Sequence, residues 1–386
     1  MTEPGTSPRA SLSQLGGYFL KLGTFGFGGP IALAGYMQRD LVEKRGWVSE
    51  EDFRQGLALA QLAPGPLAAQ LAIYLGWVRS RIWGATIVAA AFILPSFVMV
   101  LALAALYLHF GGLSWMHGAF YGVGAAVIAI IARSAVKLVR MTLRRDRLLW
   151  VIFAVNAGVT AWTESEIVWV FLASGALAVV LRALPKRGMP AASLAPLWLL
   201  WGLKGAAGLG TLATLGLYFA EAGAFVFGSG LAIVPFLRGG VVDHYHWLTD
   251  QQFLDAVAVA LITPGPVVIT VAFIGALVAG PLGGAVAALG VFLPCYLFVI
   301  IPAPFYRRFA ENLSIKAFVD GVSSAATGAI AGAAFVLGRR AIVDVPTVLI
   351  LAGTLAIFAT VKKVPEPLVI LGAGLVGIGL TALRAS

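Results

Sequence analysis

Residues Leu57-Ala58-Leu59-Ala60-Gln61-Leu62-Ala63-Pro64-Gly65-Pro66 run an apolar helix pattern into a turn that no helix continues through, and the turn returns 200 residues later as Pro264-Gly265-Pro266. At that offset Phe25, Phe27 and Gly28 fall on Phe225, Phe227 and Gly228, Trp47 falls on Trp247, Phe53 on Phe253, and Ser49-Glu50 on Thr249-Asp250. Leu94-Pro95 then matches Leu293-Pro294, with the offset slipped by one. A solenoid repeats every 20 to 50 residues or so, so this much longer period is a duplicated domain. The expected organisation is a first repeat over 1–187, a linker over 188–208 and a second repeat over 209–386.

The chain is 60% hydrophobic and 11% charged, with a mean hydropathy of +0.93, whereas soluble domains carry about 25% charged residues. Residues 84–108 hold no charge, and 256–306 hold no Asp, Glu, Lys, Arg or His. About 20 apolar residues cross a bilayer core, so the fold class is an all-α polytopic membrane protein. A net charge of +10 would suit nucleic acid in a soluble protein, but here Lys and Arg sit in short loops between apolar spans, where the positive-inside bias places them. No nucleic-acid partner is expected. Cys295 stands alone, which excludes an internal disulfide and a thiolate cluster. The polar stretch 1–14 leads into a Gly-interrupted apolar segment without a small-residue cleavage site, so the first span is expected to act as the insertion signal.

Residues 15–39 begin as a helix and meet Gly26-Phe27-Gly28-Gly29-Pro30, which releases backbone groups from the helical ladder. Ser49-Glu50-Glu51-Asp52 then reads as an N-cap with an acidic first turn. The two helical arms that meet at Pro64-Gly65-Pro66 are each about 20 Å long, against a core of about 30 Å. Residues 52–79 therefore read as a re-entrant hairpin. Full spans are expected near 82–108, 118–138, 148–163 and 166–184. The second copy repeats the broken helix near 209–237, the hairpin near 250–279, and spans near 281–303, 317–338, 345–361 and 367–383. Placing the basic loops Lys137 to Arg147, Arg182 to Arg187, Arg307 to Lys316 and Lys362-Lys363 in the cytoplasm sets the two hairpin bases on opposite sides of the membrane. The repeats are expected to be inverted, with Arg339 and Arg340 as exceptions to the charge rule.

Inverted repeats with discontinuous helices hold their substrate at the repeat interface near the midplane. Pro66 and Pro266, placed at the first position of a new helix, would present unsatisfied N–H groups and a positive dipole end. Two such ends, shaped by Pro64, Gly65, Pro264 and Gly265, would form an oxyanion site that needs little side-chain charge. Gly26, Gly28, Gly29, Gly228 and Gly230 would let further N–H groups come close. Each motif taken alone also occurs as a plain turn or as helix packing; finding both twice favours a substrate-binding site.

Lys21, four residues before Phe25, is expected to meet the anion, and its repeat partner Glu221 to carry a coupling proton, unless the two snorkel or pair structurally. Asp320 is a second coupling candidate, and Arg133 and Asp255 also fall at span depth, as functional or as packing charges. Gln61 and Gln70 flank the first Pro-Gly-Pro as potential donors, with Leu261 and Thr270 at the matched positions. His109, His117, His244 and His246 map to external turns, and no metal or cofactor is expected. There is no P-loop, Gly-x-Ser-x-Gly or His-Glu-x-x-His, so ATP-driven transport and familiar hydrolysis lack support. The residues leave open an oxyanion carrier, a passive anion channel, and a membrane-embedded enzyme acting on a lipid phosphate, the last without an Asp-rich motif to support it.

Phe25-Gly26-Phe27-Gly28-Gly29-Pro30, Leu41-Val42-Glu43-Lys44-Arg45-Gly46-Trp47-Val48 and the hairpin 57–66 together resemble the chromate ion transporter family, in its duplicated two-domain form. The resemblance covers nearly the whole chain. It implies two antiparallel halves and secondary active export of chromate across the bacterial cytoplasmic (inner) membrane, driven by the membrane potential or the proton gradient. Sulfate is implied as a competitor, and the partners are the oxyanion and the lipid bilayer. Large apolar faces are compatible with a homodimer as well as with lipid. The second copy departs at Ser229-Gly230, where the first has Gly29-Pro30, and at Asp243-His244-Tyr245, where the first has Glu43-Lys44-Arg45.

Overall fold

The computed structural model describes residues 10–27, 29–110, 114–143, 146–163, 168–182, 210–225, 227–228, 233–305, 312–342, 344–361 and 364–385. Gly28, Gly230, the linker 188–208 and the basic residues Arg144, Arg145, Lys186, Arg187, Arg307, Arg308, Lys362 and Lys363 lie outside them.

Helix α1 (Leu12–Phe25) opens on a capping box between Ser11 and Gln14 and stops at Gly26. After the break, α2 (Gly29–Met37) runs into a π-helical turn, Gln38–Lys44. Ser49 caps α3 (Glu50–Leu62), which carries three acids in its first turn, as negative charge at the positive dipole end favours. The tip β1 (Gly65–Pro66) leads into α4 (Leu67–Phe110), followed by α5 (Ser114–Thr142), α6 (Arg147–Thr163) and α7 (Val168–Arg182). The second copy repeats this order: α8 (Thr211–Phe225), β2 (Phe227–Gly228), α9 (Ile233–Arg238), a π turn Gly239–His244, α10 (Asp250–Ile262), α11 (Thr270–Ile300), α12 (Leu313–Ala341), α13 (Val345–Thr360) and α14 (Glu366–Ala385).

Helix α4 is not one rod. Ser80 and Arg81 leave helical backbone angles, and a Cβ placed on Gly84 would fall 2.0 Å from the Gly76 carbonyl oxygen. Residues eight apart in a straight helix are about 12 Å distant, so the chain doubles back here, as a re-entrant hairpin followed by a span requires. Helix α11 does the same at Ala279 and Gly280, where Gly275 meets Gly283.

Five of the described helical segments are long and apolar enough to cross a bilayer. The expected full spans at α6, α7 and α13 are apolar but shorter, at 17, 15 and 16 residues, or about 25 Å at most. Side-chain caps fix where two of them start: Asp146 Oδ1 accepts from the Leu148 N–H at 3.0 Å, and Asp344 Oδ1 from the Thr347 N–H at 3.1 Å.

The copies are interlocked. Helix α12 of the second copy packs on α6 and α7 of the first, while α5 of the first packs on α13 and α14 of the second. A Cβ on Gly122 of α5 would sit 2.0 Å from the Ala373 carbonyl oxygen of α14, and one on Gly321 of α12 would sit 2.6 Å from that of Ser174 on α7, so the same contact is made once in each direction. Lipid is as apolar as leucine, and helices in it gain by close backbone approach through small residues. In the middle, α1 meets α4 and α8 meets α11 at Gly23 and Gly223, each of whose Cβ would fall 2.3 Å from a carbonyl oxygen, Phe92 and Val291 respectively. Helices α4 and α11 then join across the copies. The Thr86 and Tyr296 hydroxyls are 2.7 Å apart and Leu101 lies on Gly284; these homologous limbs therefore run antiparallel, the relation that inverted repeats require.

The Gly84→Leu variant is expected to lose more than about 1–3 kcal/mol, the usual cost of overpacking, because its Cβ meets backbone. Gly379→Leu, where nothing lies within 4 Å of a Cβ, is expected to be silent; the thermal midpoints of the two proteins in detergent check this.

Candidate functional site

Each hairpin tip reaches the broken helix of the other copy. Gly65 and Pro66 of the first tip pair in parallel with Phe227 and Gly228 of the second break. The N–H of Gly265 in the second tip donates to the Gly26 carbonyl of the first break at 2.9 Å. Backbone groups released by a broken helix have no water to turn to inside a membrane, and here the opposite tip supplies partners. The sequence-predicted residues Gly26, Pro64, Gly65, Pro66, Gly228, Pro264, Gly265 and Pro266 thereby meet in two composite stations. Gly29 opens α2 beside unoccupied space, and Gly28 lies outside the described residues.

Each station is backed by the residue that follows a span proline. Ser96, after Pro95, is fully buried; its Oγ donates to the Gly23 carbonyl at 3.3 Å and would lie 1.9 Å from a Cβ on Gly265. Cys295, after Pro294, is fully buried too; its Sγ donates to the Val291 carbonyl at 3.0 Å and would lie 3.0 Å from a Cβ on Gly65. Gly65 and Gly265 adopt φ of 136° and 101°, which a side chain rarely accepts. The sequence reading missed Ser96 and took Cys295 only as evidence against a disulfide. The matched Leu-Pro pairs were the available signal, because the residue after each one faces the opposite tip.

The two tips are not equivalent. Helix α4 begins at Leu67, directly after Pro66; since Pro66 has no N–H, the bridge to Gly228 takes the Leu67 N–H, and the helical ladder leaves over those of Ala68 and Ala69. In the second tip a 3-10 turn, Val267–Ile269, intervenes, and the Ile269 N–H is spent on the Pro266 carbonyl at 2.9 Å. Both prolines stand in extended backbone just before the helical turns, not at the first helical position expected from sequence. The extended backbone is what lets the first tip pair with the opposite break.

Gln70 also departs from expectation. It is fully buried, and its Nε2 already donates to the Pro64 carbonyl at 2.5 Å. Gln61 is exposed on the last turn of α3.

Lys21 is exposed on α1, one turn before the first break, and Glu221 is half-buried at the matched place on α8. The polar connectors differ in the same sense. In the first copy the Arg45 guanidinium lies 5.5 Å from the Tyr18 ring and 4.4 Å from the Trp47 ring. In the second, Tyr245 stacks on Trp247 at 4.4 Å and meets Tyr218 edge-on at 5.5 Å. Burial raises the Tyr245 hydroxyl pKa, and the Glu221 carboxylate raises it further. At these two matched pairs of positions the first copy thus carries Lys21 and Arg45, where the second has Glu221 and Tyr245.

Arg238, absent from the sequence reading, has a side chain 3% exposed. It holds Asp243 at 2.7 Å and donates from Nε to Asp250 Oδ1 at 2.8 Å, while Nη2 lies 2.7 Å from the same oxygen as an ion-pair contact without hydrogen-bond geometry. This ties α9, the π turn and the start of the second hairpin together. Asp320 is not brought to the tips; Arg182 of α7 bonds it at 3.3 Å and also holds Asp146, beside the α6–α7–α12 apolar cluster. Asp255 is 3% exposed and accepts from the Tyr107 hydroxyl of the first copy at 2.8 Å and from Gln251 at 2.9 Å. Arg133 is exposed, over the Phe358 ring at 4.4 Å. Among the described residues no cluster of His, Cys, Asp or Glu is arranged to hold a metal.

Gly265→Ala is expected to cost at least about 1–2 kcal/mol from left-handed backbone alone, with the Ser96 overlap added. Replacing Ser96 by Ala in the same protein should recover only the overlap, as read from thermal unfolding. Asp250→Ala should cost roughly 3 kcal/mol, because it strips one carboxylate from a buried guanidinium; an unchanged midpoint would show that Asp243 suffices.

The chromate transporter family matches residues 13–179 and again 213–378, so the duplication read from Pro-Gly-Pro is a duplication of the family unit. The chain is 58% identical to the chromate transport protein of Cupriavidus metallidurans over 97% of its own length and 94% of that protein's. It is 55% identical to the probable chromate transport protein of Synechococcus elongatus over 96% of each chain, and 34% identical to the chromate transport protein of Pseudomonas aeruginosa over 97% of its own length and 94% of that protein's. No solved structure matches it. With both copies matched and these relatives aligned nearly end to end, the chain belongs to the chromate transporter family, membrane transporters and not enzymes.

Proposed function

We propose that the protein is a secondary active transporter that exports chromate across the bacterial cytoplasmic membrane by alternating access, with sulfate as a competing tetrahedral oxyanion. The observation that carries this reading is the reciprocal crossing of tips and breaks: Gly65-Pro66 on Phe227-Gly228, and Gly265 on Gly26. It gathers the two turn motifs and both discontinuous helices at one repeat interface, the arrangement in which such carriers bind their substrates. The first turn of α4 supplies N–H groups and a positive dipole end to an oxyanion, and Lys21 supplies charge one turn before the first break. Glu221 is the coupling carboxylate in this reading. Asp320, held by Arg182, plays that part only if transport breaks the pair.

The interlocked outer helices bear on the motion. Because α5 and α12 are each clasped by helices of the other copy, moving one whole copy as a rigid body would break close backbone contacts along both. Access alternates instead by the tips exchanging partners against the breaks, inside an outer frame that stays packed.

In proteoliposomes, chromate flux is expected to follow an imposed potential or pH gradient and to collapse with an uncoupler. Lys21→Ala should lower it by about tenfold or more, the loss of one charge-assisted contact, while the protein still reaches the membrane. Flux of sulfate alone would keep the mechanism and change the substrate; flux that persists downhill but never runs uphill would mark a channel.

A further inference from the structure

Gln70 carries an unmet requirement at the first tip. Its amide folds back over the turn: Nε2 donates to the Pro64 carbonyl at 2.5 Å and would lie 2.4 Å from a Cβ on Gly65. The Pro64 carbonyl can only accept, which settles which end of the amide faces it. Oε1 therefore points elsewhere, and it is buried with no donor reaching it among the described residues. The matched residue in the second copy carries no such orphan, because the Thr270 hydroxyl donates to the Val267 carbonyl at 2.8 Å. Native proteins seldom leave a buried acceptor unpaired.

The same turn of α4 also offers the opposite function, the Ala68 and Ala69 N–H groups that a helix start leaves outside its own ladder. A fully deprotonated tetrahedral dianion has only acceptors to present; it would satisfy the N–H groups and set oxygen against the Gln70 oxygen. An oxyanion that keeps one hydroxyl answers both demands, with its bare oxygens on the N–H groups and its O–H on Oε1. Resting on the transport reading above, we propose that the first tip selects the protonated monoanion, hydrogen chromate, and that Gln70 is the residue that reads its hydroxyl. Discrimination against sulfate follows from acid strength. Hydrogen chromate gives up its last proton near neutral pH, whereas sulfate is already fully deprotonated there.

The test is a competition series on the full chain in proteoliposomes, with dilute labelled chromate as the transported anion. Arsenate is tetrahedral and keeps a hydroxyl at neutral pH, sulfate is a dianion without one, and perrhenate is a monoanion without one; the set separates hydroxyl from charge. Arsenate is expected to inhibit about ten- to a hundredfold better than either, the worth of one buried hydrogen bond. Chromate flux at fixed total concentration should fall as pH rises through the point where hydrogen chromate loses its proton. In Gln70→Met, which keeps the side-chain volume and removes the acceptor, the preference for arsenate should collapse. If that variant does not reach the membrane, the wild-type series still decides. Equal inhibition by sulfate or perrhenate, or flux that rises with pH, overturns the protonated-anion inference alone. No chromate flux from folded, inserted protein overturns the transport reading and this inference with it.

Discussion

Backbone hydrogen bonding in a medium without water governs this structure. Two helices are broken and two hairpins turn inside the protein, and each of these places exposes amide groups that a lipid cannot satisfy. The chain solves the problem reciprocally. The second tip's Gly265 takes the first break's carbonyl at 2.9 Å, and the first tip lies along the second break as a two-residue parallel bridge. Neither break is completed within its own copy, so each copy depends on the other.

The same reciprocity recurs in the outer helices, where α5 and α12 are each clasped by helices of the other copy through close-packed glycines. An interlocked frame around a centre held by a few backbone bonds is a mechanical arrangement suited to transport. The frame resists separation, whereas each backbone bond at the centre can be given up only where another partner replaces it. Departures from the repeat reach that centre: Ser96 against Cys295, Gln70 against Thr270, a direct helix start against a 3-10 turn. The scaffold is thus symmetric while the chemistry at its middle is not.

Much of this was legible in the sequence because it depends on local chemistry. Composition and uncharged runs identified a membrane protein. Pro-Gly-Pro, the glycine breaks and the Ser49 and Thr249 caps marked turns and helix starts, and the 200-residue offset paired them. Arm length against bilayer thickness identified the hairpins, and the backbone departures at Ser80-Arg81 and Ala279-Gly280 lie where those hairpins were expected to end.

The partners of each motif were decided only by the tertiary structure. Nothing within residues 57–66 says that Gly65 will lie on Phe227, or that Ser96 will face Gly265, because those contacts join residues more than 160 positions apart. The burial of Arg238 and Asp255 depends likewise on how helices pack, and sequence periodicity does not report that for charges near a span's end. Gln70 is the sharpest case. Its position beside the turn suggested a donor to substrate, but folding spends the donor on Pro64 and leaves the acceptor, reversing the sign of what the residue can recognise. Which groups were available was a matter of sequence; three-dimensional packing determined which of them were used.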